Sequence, residues 1–131
     1  MKPCLPDADI WVKAFSRQAP EPLLVLHLGQ AIRERRVFLL GPVRQVILDR
    51  CRDERQIARV ASLIAAFPHL PITAVDHVEA AGVAQRLRQQ GIEAPARRRL
   101  LWAVASRIGG EVWSTAAGWS ALADLGCPLR R

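Results

Sequence analysis

The chain has 131 residues, half of them hydrophobic, and a formal net charge of +7. That length suits one domain, 1–131, with a substantial buried core, and no apolar run approaches the ~18–20 residues that span a bilayer. The start, Met1-Lys2-Pro3-Cys4, carries no signal-peptide pattern. Three widely spaced cysteines (Cys4, Cys51 and Cys127) without a Cys-x-x-Cys spacing point to reduced thiols and a cytoplasmic protein.

Residues 3–7 are expected to form a short strand, with Pro3 and Pro6 at its margins. It ends on Asp7-Ala8-Asp9, two carboxylates spaced i, i+2, before an apolar run with a Trp resumes. Acids at the end of a first strand face the crevice where an α/β protein holds a metal or substrate. A helix or turn follows over 8–15, then a loop over 16–21. Leu23, Leu24, Leu26, Leu28 and Ile32 suit a helix over 22–35, weakened by Gly29. Val37-Phe38-Leu39-Leu40 is a short apolar run closed by Gly41-Pro42, the pattern of a buried strand. Pro42 fits the first turn of a helix over 42–51. Asp53 and Glu54 favour the start of another over 53–66.

Ile72-Thr73-Ala74-Val75 is expected as the third strand, with Asp76 capping a helix that runs to Gln90 and Gly91 at its end. Pro95 opens a helix that stops at Gly109-Gly110. Glu111–Ser114 is the fourth strand, 118–124 a short helix, and Pro128-Leu129 a final edge strand. Strands alternating with helices over short connections predict a three-layer α/β/α fold with a parallel sheet of four or five strands.

This order of elements resembles the PIN-domain family, in particular the VapC-like toxins of toxin–antitoxin pairs. The likeness spans nearly the whole chain. Asp7-Ala8-Asp9-Ile10-Trp11-Val12 resembles the family's opening motif, and Gly41-Pro42-Val43-Arg44-Gln45 the approach to its second acid. Leu70–Asp76 is similar to the family's middle strand–helix connection. Ala94-Pro95-Ala96-Arg97-Arg98-Arg99-Leu100 is similar to the segment of the third acid, and Val112–Trp119 to the last strand and fourth acid. The resemblance implies an Mg²⁺- or Mn²⁺-dependent ribonuclease whose carboxylates hold the ion. Position by position, only Asp7 keeps an acid. The second acid falls on Val46, the third on Arg98, the fourth on Ala116, and a later aspartate on Gly118.

A valine and an arginine facing one aspartate do not make a Mg²⁺ site, so no cofactor is expected. The sequence predicts instead that the Arg98 guanidinium fills the vacated site and pairs with Asp7, since a buried lone carboxylate is costly. The chain would then act by binding, to an antitoxin-type protein, to a second copy as a homodimer, or to RNA, with no membrane partner. The alternative is an active Mg²⁺ or Mn²⁺ endoribonuclease using a shifted cluster of Asp7, Asp9 and Asp49, the last one helical turn after Val46. Arg97, Arg99 and Trp119 are candidates for contact with nucleic acid or a protein partner. His27, His69 and His77 show no metal-ligand spacing, and Ser114-Thr115 have no His–acid partner that would make either a nucleophile.

Overall fold

A computed structural model describes residues 1–16 and 21–130. The predicted loop at 16–21 therefore falls largely outside the described residues. The chain enters as strand β1 (Cys4–Pro6) and turns into helix α1 (Ala8–Ala14). Then come α2 (Pro22–Arg33), α3 (Gly41–Asp49), α4 (Glu54–Ile64), α5 (Ala74–Gln89) and α6 (Ala96–Ile108). Strand β2 (Glu111–Trp113) and helix α7 (Trp119–Asp124) complete the order.

The regular sheet has two strands. β1 and β2 pair in parallel, with Cys4 opposite Glu111, Leu5 opposite Val112 and Pro6 opposite Trp113. Isolated parallel bridges add Cys4 to Val37, Leu39 to His69 and Val112 to Leu129. The expected three-layer fold with a four- or five-stranded sheet is thus corrected: among the described residues it is a helix-rich chain around a two-stranded parallel pair. Proline is one reason. Pro68, Pro71 and Pro128 bring no N–H to the flanking segments, so pairing there shrinks to isolated bridges: Leu39 N to Pro68 O (3.1 Å) with Leu70 N to Leu39 O (3.5 Å), and Val112 N to Pro128 O (2.7 Å) with Arg130 N to Val112 O (2.7 Å).

The predicted third strand at 72–75 is also corrected. Thr73 caps α5, its hydroxyl accepting from the Asp76 N–H at 3.3 Å while the Asp76 carboxylate accepts from the Thr73 N–H at 2.8 Å. This reciprocal capping box starts the helix at Ala74 and moves Asp76 from the cap to the third helical position. Other boundaries follow local chemistry. Pro42 sits in the first turn of α3, and Asp53 caps α4 by accepting from Gln56 N. Gly109 ends α6 in the left-handed region at φ 68°.

The core lies where α1, α3 and α6 meet β1 and β2. Leu5, Ile10, Trp11, Leu39, Val43, Leu101, Val104, Val112 and Leu122 are all essentially sealed from solvent. Trp11 donates its indole N–H to Pro6 O at 3.1 Å and packs edge-on against Phe67. Arg107, on α6, reaches across to α5 and grips buried Asp76 with two bonds, 2.8 Å from Nε and 3.0 Å from Nη2. That pair locks together the two helices that contact each other most.

All three cysteines are free. Burial pushes the Cys4 thiol up to about 11 and the Cys127 thiol up to about 12, from 9.0. Both are therefore held as thiols in the folded chain. Their contribution to stability is complete below pH 9.0 and is lost as pH rises toward those folded values, because the unfolded chain ionises first. At about pH 8, a thiol reagent is expected to modify only half-buried Cys51 in the native protein. Fast release of a second equivalent before unfolding would contradict this.

Candidate functional site

The crevice at the ends of β1 and β2 is built from four short segments. β1 delivers Asp7, which caps α1 and is only 2% exposed. One of its oxygens accepts from Ala8 N at 2.7 Å. The same oxygen takes Arg97 Nε at 2.9 Å, and the second oxygen lies 3.5 Å from Arg97 Nη2. The cation that neutralises Asp7 is thus Arg97, which corrects the expected Asp7–Arg98 pair. The reason is helical phase: adjacent residues on a helix diverge by about 100°, so only one of two neighbouring arginines can face β1.

Arg98 turns the other way. Its Nη1 donates to Ala117 O at 2.9 Å, and its guanidinium lies over the Trp119 ring at 5.2 Å. Gly118 makes room for it. A Cβ there would meet Arg98 Nη1 at 2.7 Å, and the residue sits at φ 94°, where side chains are strained. Arg98 Nε and Trp119 Nε1 are buried without a hydrogen-bond partner among the described residues. Arg99 spends its donors on backbone, Nε on Ala94 O at 3.0 Å and Nη1 on Ala80 O at 3.3 Å. Arg97, Arg99 and Trp119, expected as contact residues for nucleic acid or a partner, are therefore engaged in internal contacts, and Trp119 is buried rather than lining a cleft.

Asp9 ties α1 to the loop after β2. It accepts from Ser114 Oγ at 2.8 Å, from Thr115 N at 2.9 Å and from Thr115 Oγ1 at 3.0 Å. Lys13 Nζ donates to the same Thr115 hydroxyl at 2.7 Å. Asp49 points outward on α3 and accepts from Gln45 Nε2 at 2.8 Å. The shifted cluster of Asp7, Asp9 and Asp49 is corrected accordingly: no group of three potential ligands from His, Cys, Asp and Glu forms among the described residues. Val46 and Ala116, where the sequence resemblance placed the second and fourth acids, pack partly buried against the core. A divalent ion does not fit this donor set, since the one deeply buried carboxylate of the crevice already carries a guanidinium.

Pro95 flanks the start of α6 and puts both Arg97 and Arg98 in its first turn, so the sequence offers either arginine to Asp7 without choosing between them. The Asp76–Arg107 pair had no sequence signal, because 31 positions separate its members.

No family model matches the chain, and no curated protein matches it. Several solved structures share its fold. The crystal structure of FitAcB from Neisseria gonorrhoeae superposes with a TM-score of 0.73 at 18% identity, covering 92% of this chain and 93% of that one. VapBC2 from Rickettsia felis, bound to a DNA fragment from its promoter, gives 0.74 at 10% identity, with 91% of each chain covered. A toxin–antitoxin complex from Klebsiella pneumoniae gives 0.67 at 13% identity, with 88% of each covered. At these identities the likenesses show the fold alone. The sequence resemblance to PIN-domain, VapC-like toxins is corrected on the same findings. No family model supports it, the sheet has two regular strands among the described residues, and the similar structures, all under 25% identical, carry names that assign no toxin role to this chain. No helix among the described residues is long and apolar enough to cross a membrane.

Proposed function

We propose that this chain is one component of a toxin–antitoxin-type complex and acts by binding a protein partner, without a divalent-metal centre. The observation that carries the reading is the Asp7–Arg97 pair, in which a guanidinium satisfies the carboxylate at the end of β1. A crevice closed in this way has no free anionic ligand to recruit Mg²⁺ or Mn²⁺ and no activated water to direct at a phosphodiester. Asp9, the other acid nearby, is saturated by Ser114 and Thr115. The fold shared with chains of toxin–antitoxin complexes supports the kind of assembly, and an excess of 19 basic over 12 acidic residues favours an acidic partner.

Calorimetric titration with Mn²⁺ tests the metal half of the reading. The wild type is expected to give no binding heat. Arg97→Asp, which sets a second carboxylate beside Asp7, is expected to create a weak site, with Kd of roughly 0.1–1 mM. Wild-type binding that disappears in Asp7→Asn would reject the proposal and return attention to metal-dependent cleavage.

A further inference from the structure

A groove of about 490 Å³, which shares no lining residue with the crevice, lies between the ends of α1 and α3 and helix α4. Its floor is apolar. Val12 and Phe15 come from the α1 end, Ile47 from α3 and Leu63 from α4. Leu63 is 50% exposed and Phe15 37%, so these two floor residues are wet in the isolated chain, above the buried Ile47. Its rim is basic. Arg50, Arg52 and Arg59 line it, no Asp or Glu does, and none of the three enters an ion pair among the described residues.

We propose that this groove docks a segment of a protein partner that presents apolar side chains flanked by Asp or Glu. The inference rests on the reading of the chain as a binding component and names the chemistry of what it binds. Apolar area left in water favours an occupant that covers it. Three unpaired guanidinium groups at the edge favour carboxylates, which Arg engages bidentately. A nucleic acid would satisfy the arginines but leave Phe15 and Leu63 in water. A second copy of this chain would bring its own positive charge against the rim. Only an acidic, amphipathic protein segment satisfies floor and rim together.

The test uses the full chain and two synthetic helical peptides that share apolar residues at i, i+3, i+4 and i+7. One carries Glu at the flanking positions and the other Lys. Fluorescence anisotropy is expected to show the Glu peptide binding at least about ten-fold tighter, with the gap narrowing as salt is added. In the double variant Arg52→Glu/Arg59→Glu the preference should reverse. Both side chains are exposed, so circular dichroism of that variant is expected to match the wild type. Bound Glu peptide should also shield Cys51, which lines the groove, from a thiol reagent. Equal affinity for the two peptides, no binding of either up to about 1 mM, or displacement of the Glu peptide by a single-stranded oligonucleotide would overturn the proposal. The metal-free reading of the crevice is judged separately by the Mn²⁺ titration, so either can fail alone.

Discussion

Replacing Arg97 with methionine is expected to lower the unfolding free energy by about 2–3 kcal/mol. Methionine keeps much of the apolar stem but removes the charge, so Asp7 is left with one backbone N–H as its partner in a site only 2% exposed. Removing one member of a fully buried pair costs about 3–5 kcal/mol. The Arg97 side chain is 26% exposed, so water can enter in its place and the lower figure applies. The double variant with Asp7→Asn separates the pair from its members. Asparagine retains the cap on Ala8 without the charge, so it should recover at least about 1 kcal/mol of what Arg97→Met lost. Urea unfolding of the four proteins closes the cycle. Strictly additive effects would mean that the two groups do not interact across the crevice.

The second large effect is expected at Asp76, far from the crevice. Burial pushes its carboxyl up, but hydrogen bonds from Arg107 and from the Thr73 backbone and hydroxyl outweigh this and hold it below 3.8. The ionised form is therefore favoured by folding. Its contribution is present above pH 3.8 and is lost as pH falls through the lower folded value. Asp76→Ala removes half of the capping box and both Arg107 bonds, so a loss of about 2–3 kcal/mol is expected near neutrality. Thermal midpoints between about pH 6 and pH 3 should fall less steeply in Asp76→Asn than in the wild type, since the variant has no carboxylate to protonate there. Parallel curves would show that other acids govern the acid limb. Arg107→Met should resemble Asp76→Asn in acid response if the pair is the device that joins α5 to α6.

Helix existence was the most legible part of this chain, and the sheet the least. Ile57, Val60 and Ile64 repeat at helical spacing and form one side of α4 whatever lies beside it. In the apolar run Val37–Leu40, Val37, Leu39 and Leu40 are buried as expected while Phe38 is half-buried, and only Val37 and Leu39 make bridges. A strand needs a neighbour's donors as well as its own pattern, and the neighbouring segments are interrupted by proline. Residues 72–75 show the same conflict. Their β-branched content suggested a strand, but Thr73 and Asp76 stand at the spacing of a capping box, and two satisfied N–H groups outweighed propensity.

The crevice divides in a similar way. Asp7 at the end of β1, Pro42 in the first turn of α3, Asp53 as a cap and Gly109 as a helix stop follow from the chemistry of each residue and its near neighbours, so the amino-acid sequence by itself determined them. That Val46, Arg98 and Ala116 bring no carboxylate to the crevice was equally plain from residue identities. Which arginine neutralises Asp7 was not. The choice between Arg97 and Arg98 depends on the rotation of α6 against β1, set by buried residues such as Leu101, Val104 and Ala105 packing the helix onto the core. The grip of Arg107 on Asp76 and the basic-rimmed groove between α1, α3 and α4 likewise exist only once separate helices are brought together. Local interactions decide where elements begin and end, whereas burial of their shared apolar faces decides which polar side chains meet.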